Sequence, residues 1–295
     1  MENLSPSALA QYLTSDSLID WCEGSIPTYP ISNYSPFMQA NAYFFGHPKW
    51  ARTYLETENC SDAFRERWRA ALESWDDKVV VDIGCGPGNL YASVGGSPRV
   101  LIGVDISRGA LEMAMQLGYT PLLADAQNLP LVSGFADIVT ANAVLHHCDD
   151  MAKVLAEAAR LVRPGGLLIT DEDPQQTAWY QKGLGLLVQK TRLRLSTYWP
   201  MRSVEKATRR FATEAHNRQP GDGVTPELYY KTLEPLGFTF KLYPHNHDVG
   251  AELLQGDHGR SSWIYRLEQQ LSGINPDSPE AASSVMCIAT RSGRI

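Results

Sequence analysis

The chain has 295 residues, of which 43% are hydrophobic and 20% charged, and its net charge is −7. That length suits one elaborated α/β domain or two small ones, and the acidic balance argues against general nucleic-acid binding. The cysteines, Cys22, Cys60, Cys85, Cys148 and Cys287, make no C-x-x-C pair, so neither a disulfide framework nor a zinc ribbon is expected and a reducing, cytoplasmic setting fits. With no basic apolar leader and no run of ~18 apolar residues, neither a signal peptide nor a membrane span is expected.

In chain order, residues 1–77 precede the first core strand and read as an N-terminal cap. Leu9, Tyr12, Leu13, Leu18 and Ile19 recur at roughly helical spacing, enough for one or two short helices between Ser7 and Cys22. Pro27, Pro30 and Pro36 are expected to break regular structure after it. Tyr29, Tyr34, Phe37, Tyr43, Phe44, Phe45, Trp50 and Tyr54 then crowd one segment. Such a cluster either packs a cap on the main domain or walls a pocket, and the two roles are compatible. Tyr43, Phe44 and Trp50 are the acceptor-binding candidates here. A helix is expected from Ser61 to Trp75, capped by Ser61 or Asp62.

Residues 78–173 alternate strand and helix. Val79, Val80, Val81 and Ile83 make a strand buried on both faces. Gly84, Gly86 and Gly88 follow it, and Pro87 stands near the start of a short helix. Further strands are expected over 100–105, 120–124, 136–141 and 167–170, with helices started by Ser107 and by Asp149 or Asp150. This alternation argues for a mostly parallel sheet with helices on both faces, a Rossmann-like α/β fold. Residues 174–225 read as a basic helical insertion, a lid carrying nine Lys and Arg against three acidic residues. Residues 226–295 supply a helix over 226–236, two late strands and a helix near Ser262–Leu271.

The glycine spacing is G-x-G-x-G, with Asn89 where a dinucleotide fingerprint has its last glycine, and Asp82 sits where a pyrophosphate would be repelled. An NAD-dependent oxidoreductase is therefore disfavoured. Val81-Asp82-Ile83-Gly84-Cys85-Gly86-Pro87-Gly88 resembles the first motif of class I S-adenosylmethionine-dependent methyltransferases. Ala124-Asp125-Ala126-Gln127-Asn128-Leu129-Pro130 resembles that family's A-D-A-x-x-L-P segment. Asn142 to His147 resembles its loop ending in L-H-H, and Arg163-Pro164-Gly165-Gly166 its turn before the fifth strand. The motifs match in order from Val79 to about Glu172, and the nearest branch is the small-molecule one typified by quinone-biosynthesis C-methyltransferases.

The resemblance implies a seven-stranded class I fold and transfer of a methyl group from S-adenosyl-L-methionine to an O, N or C nucleophile of a small molecule, leaving S-adenosyl-L-homocysteine. It implies a cofactor site of Asp82, Gly84, Cys85, Gly86, Asp105, Ile106, Asp125, Ala126, Gln127, Asn142 and Leu145, with Asp105 on the ribose and Asp125 on the adenine amino group. Methyl transfer needs alignment above all, and a base only where the nucleophile must lose a proton. His146 and Glu172, at carboxyl ends of strands, are the catalytic candidates. Arg194 and Arg202 of the insertion are candidates for holding an anionic acceptor. No metal is expected, and His245, His247 and Asp248 read as solvated turn residues. The alternatives are a catalytically silent cofactor-binding relative and an RNA methyltransferase using the basic insertion. Acceptor and oligomeric state are not legible.

Overall fold

The computed structural model describes residues 9–21, 26–57, 59–179, 181–198 and 223–293. Its seven strands are β1 (Val79–Ile83), β2 (Val100–Asp105), β3 (Thr120–Leu123), β4 (Ala136–Asn142), β5 (Val162–Pro174), β6 (Phe238–His245) and β7 (Ser284–Arg291). They lie side by side in the order β3-β2-β1-β4-β5-β7-β6. The pairings among β1 to β5 are parallel, and β7 runs antiparallel to both β5 and β6. This is the class I methyltransferase fold.

The described helices are α1 (Pro36–Gly46), α2 (Pro48–Thr57), α3 (Asp62–Leu72), α4 (Asn89–Val94), α5 (Arg108–Gln116), α6 (Met151–Leu161), α7 (Gly183–Tyr198), α8 (Pro226–Leu233) and α9 (Trp263–Leu271). Alternation along β1 sends its residues to two cores. Val79, Val81 and Ile83 join Leu155, Ala158, Tyr229 and Leu233, from α6 and α8, on one face. Val80 joins Phe64, Trp68, Leu90 and Leu111, from α3, α4 and α5, on the other. A strand covered on both faces has no polar alternation, which is why β1 reads as an unbroken apolar run.

Ser61, Ser107, Asp150 and Thr225 cap α3, α5, α6 and α8 by accepting a backbone N–H. α3 stops at Leu72 rather than Trp75, because Glu73 turns to φ 57. Pro36 and Pro48 open helices instead of breaking structure, since the first turn needs no N–H from them. Of the one or two short helices expected between Ser7 and Cys22, the described residues show helix at Leu9 and Ala10 and none over 11–21. Leu13 instead bridges Leu131, Asp20 bridges Thr28, and Leu18 is exposed. The Arg163–Gly166 turn lies inside β5, where Gly165 takes φ 75 and the register with β4 shifts.

α1 docks on the N-terminal end of α5. A Cβ on Gly109 would overlap the Gly46 carbonyl oxygen, so the backbones meet only because that side chain is absent. Ser107 Oγ donates to the Ala42 carbonyl at 3.0 Å. The same helix reaches the loop after β4, where Asn41 Nδ2 donates to the His147 carbonyl at 3.4 Å. The aromatic segment is thereby fixed over the carboxyl edge of the sheet.

Candidate active site

Strand order reverses between β1 and β4, and a cleft opens beyond their carboxyl ends, where open α/β sheets hold ligands. After β1 the chain turns through Gly84, Gly86 and Gly88 with φ of 64, 53 and 96°. A Cβ on Gly84 would overlap the Val144 side chain, so the two loops close on each other only with glycine there. The Gly86 N–H donates to Asp105 Oδ2 at 2.9 Å, and the Ser107 N–H to Asp105 Oδ1 at 2.8 Å. One carboxylate at the end of β2 thus holds the glycine turn and the start of α5. Burial raises its pKa, with those backbone bonds opposing.

The cleft opens to solvent, and about 940 Å³ of space, open solvent included, lies within its mouth and walls. Asp82, Gly84, Cys85, Gly86, Asp105, Ile106, Asp125, Ala126, Gln127 and Asn142 all line it, joined by Asn41, Phe45, Tyr54, Asn89 and His147. The Asp82 carboxylate accepts from Tyr119 Oη at 2.7 Å and Thr140 Oγ1 at 2.9 Å, and burial pushes its pKa up to about 6. Asp125 Oδ1 accepts the Gln127 N–H at 2.9 Å, which fixes the turn after β3. Burial pushes the Cys85 thiol well up, which disfavours its thiolate.

Three buried amide oxygens of the cleft lining have no donor among the described residues: Asn41 Oδ1, Asn89 Oδ1 and Asn142 Oδ1. The amide nitrogens of Asn41 and Asn89 are committed, to the Phe37 and Tyr54 carbonyls at 3.0 and 2.9 Å. Buried acceptors without a donor cost roughly 1–3 kcal/mol each, so the cleft is built for a ligand that brings donors.

A second groove shares Phe45, Tyr54, Asn59, Ala143 and His147 with this cleft and continues past β5 and β6. His146, Glu172, His247 and Arg260 line it. His146 offers its backbone N–H and ring Nδ1 to one oxygen, Asp173 Oδ1, at 3.1 and 2.6 Å, and its side chain is only 3% exposed. Glu172 has φ 62, with Oε1 taking Arg67 Nη2 at 2.6 Å and Oε2 pairing with His247 Nδ1 at 2.6 Å. Beside it, Asp171 accepts from Arg67 Nε at 3.0 Å and from His245 Nε2 at 2.7 Å. Burial alone would raise both carboxyl pKa values. Arg67 and His245 outweigh it at Asp171, and His247 outweighs it at Glu172, so both stay ionised.

Of the expected solvated turn over 245–248, His247 and Asp248 are exposed in a bend, whereas His245 and Asn246 are buried. His245 belongs to β6 and is fully buried, because Asp171 and Arg67 bring their charges inside with it. The ligand atoms of Glu172, His245 and His247 lie within 4.8 Å of one another, close enough for a metal. Glu172 Oε2 and His247 Nδ1 instead pair with each other. His245 accepts the His247 N–H on Nδ1 at 3.2 Å and donates from Nε2 to Asp171, which leaves its ring no lone pair.

The methyltransferase-domain family matches residues 81–170, which include Asp82, Asp105, Asp125 and Asn142 of the first cleft. The chain carries a class I S-adenosylmethionine-dependent methyltransferase domain. The domain is 34% identical over 109 residues to a ubiquinone biosynthesis O-methyltransferase of Thiobacillus denitrificans, an overlap of 35% of this chain and 47% of that one. It is 37% identical over 105 residues to a tRNA carboxymethyluridine 5-O-methyltransferase of Arabidopsis thaliana, covering 34% of this chain and 25% of that one. The chain thus spans less than half of either relative. Among solved structures, the plantazolicin methyltransferase BamL with S-adenosylhomocysteine superimposes with a TM-score of 0.51 at 17% identity, over 88% of this chain and 96% of that one. At that identity the likeness shows the fold alone.

Around the methyltransferase domain, other expected residues fall elsewhere. Leu145 is fully buried in the hydrophobic core rather than on the cleft. Tyr43 lines a separate depression with Gly46 and Arg108. Phe44 stacks on Trp50 at 5.7 Å, and neither lines the described clefts. Arg202 lies outside the described residues, as does the side chain of Arg194. Arg192 of α7 pairs its guanidinium with buried Glu268 of α9 at 2.6 and 3.0 Å.

Proposed function

We propose that this chain transfers a methyl group from S-adenosylmethionine to a nucleophile on a small-molecule acceptor. The observation that carries this reading is the set of donor-less amide oxygens of Asn41, Asn89 and Asn142 in a cleft that also presents Asp105. S-adenosylmethionine fits that cleft chemically: its ammonium brings N–H donors and, with the sulfonium, positive charge, while its ribose brings a diol. When bound, it supplies a methyl group on a sulfonium that departs as a neutral thioether.

The residues divide the work. Asp105 accepts from the ribose hydroxyls through the lone pairs its backbone bonds leave over. Asp125 takes the adenine amino group beside the backbone of Ala126 and Gln127. Asn41, Asn89 and Asn142 receive the ammonium, while Asp82 holds the strand ends through Tyr119 and Thr140. Phe45 and Tyr54 wall both clefts, keep water out, and take the acceptor role first expected of Tyr43, Phe44 and Trp50. His146 anchors the loop after β4 through Asp173. On this reading 1–77 is a cap, 78–173 the cofactor domain, 174–225 a lid and 226–295 the rest of the sheet.

Calorimetry with S-adenosylhomocysteine tests the reading. Binding is expected, with thermal stabilisation that NAD does not give. Stabilisation by NAD and none by S-adenosylhomocysteine would overturn it.

A further inference from the structure

Glu172 and His247 are non-glycine residues with left-handed backbone, at φ 62 and 46°. Such conformations cost free energy and persist where surrounding structure imposes them, often at functional positions. Here the surroundings are Arg67, which grips Asp171 and Glu172 together, and His245, which takes the His247 backbone N–H. The result aims Glu172 Oε2 at His247 Nδ1. His247 Nε2, at the far side of the ring, has no partner among the described residues. The side chain is 52% exposed and lines the second groove, which shares Phe45, Tyr54 and His147 with the cofactor cleft.

We propose that His247 is the general base for this site, oriented by Glu172, and that the acceptor it serves is a hydroxyl compound. The inference rests on the cofactor reading above. With Nδ1–H donated to the carboxylate, Nε2 carries the free lone pair toward the groove. The acceptor O–H bond breaks, its proton bonds to Nε2, and its electron pair stays on oxygen for the new bond to the methyl carbon. The imidazolium formed is matched in charge by Glu172, and the ring resets by giving the proton to water. A neutral amine attacks with a lone pair it already has, whereas a hydroxyl gains most from a base.

The groups facing His247 are Arg67 of α3, Asp171 and Glu172 of β5 and His245 of β6, with His146, Asp248 and Arg260 also lining the groove. Burial would lower its pKa and Arg67 acts in the same sense, but Glu172 outweighs both and raises it. The base thus becomes stronger, and its activity is expected to rise with pH through that raised value.

The test uses His247→Asn, since Asn tolerates left-handed backbone, and Glu172→Gln. Catechol, 4-hydroxybenzoate and benzyl alcohol serve as hydroxyl probes, benzylamine as the amine and dimedone as the carbon acid, each scored by formation of S-adenosylhomocysteine. Turnover of a hydroxyl probe is expected to fall roughly 10²- to 10⁴-fold in kcat in His247→Asn, with S-adenosylhomocysteine affinity by calorimetry changed less than about threefold. Without any acceptor, ¹⁵N-imidazole spectra of the wild type with S-adenosylhomocysteine bound should show Nδ1 protonated in the neutral ring, and Glu172→Gln should lower the His247 pKa and move the acid limb of kcat with it. Undiminished kcat in His247→Asn, turnover confined to the amine or the carbon acid, or an unchanged His247 pKa in Glu172→Gln would overturn the proposal. Loss of S-adenosylhomocysteine binding in the wild type would instead overturn the cofactor reading beneath it.

Discussion

Asp105 works on both sides of the cleft wall. Its two oxygens already hold the Gly86 and Ser107 N–H groups, and on the proposed reading the lone pairs left over accept from ribose hydroxyls. Hydrogen bonds to a charged acceptor contribute about 1.5–3 kcal/mol. Asp105→Asn should therefore weaken S-adenosylhomocysteine binding about 10- to 100-fold by calorimetry, and unchanged affinity in a folded variant would put the ribose elsewhere. The place of this residue on the cleft was legible because a strand-end carboxylate after a glycine turn has a fixed place in nucleotide folds. Asn41 and His247 were not legible. Asn41 acts through its partnerless oxygen, a matter of where α1 docks, and no spacing in the aromatic segment signals that. His247 looked like a turn residue until a residue 75 positions earlier, Glu172, was brought against it.

Helix α3 is joined to the sheet by one buried cation. Arg67 is fully buried and donates to Asp171, Glu172 and the Val249 carbonyl at 3.0, 2.6 and 2.9 Å. Replacing it removes a cation and leaves two carboxylates facing each other inside the protein. Breaking a buried pair from one side costs about 3–5 kcal/mol, so Arg67→Met should lose stability of that order in urea unfolding, and a loss under ~1 kcal/mol would mean the carboxylates relax into solvent. The boundaries of β1 to β4 were readable because each is a short apolar run punctuated by glycine or aspartate, whereas β5 runs over Val162–Pro174 rather than 167–170 because it carries the Arg163–Gly166 turn within it. The N-terminal segment was misread as helical because its apolar spacing fits a helix, while its backbone pairs instead with Leu131 and Thr28. Local pattern carries no information about that remote edge.

Across the molecule, two buried acid systems pull stability in opposite directions with pH. Asp82 has its pKa raised to about 6 by burial. A raised carboxyl favours the folded state when protonated, so its contribution is full below the ordinary value of about 4 and is lost as pH rises to about 6. Asp171 and Glu172 are held low, so theirs is full above the ordinary carboxyl range and is lost as pH falls through their depressed values. Urea unfolding followed across this range should show Asp82→Asn reducing the decline toward pH ~6, with a remainder from Asp105, which burial also raises, while leaving the loss of stability in stronger acid intact. A decline left undiminished by the substitution would assign it to groups other than Asp82. One further consequence concerns time rather than energy. Among the strands, β7 is the last made yet lies between β5 and β6, and Ser284 is the register partner of both Pro174 and His245. Strands β5 and β6 never pair with each other, so this late strand sets the distance from Glu172 to His247, and a slip of one residue would turn its faces over. A growing chain can fold its glycine corner and β1 to β5 early, but the Glu172–His247 pair comes into being only when β7 arrives to measure the gap.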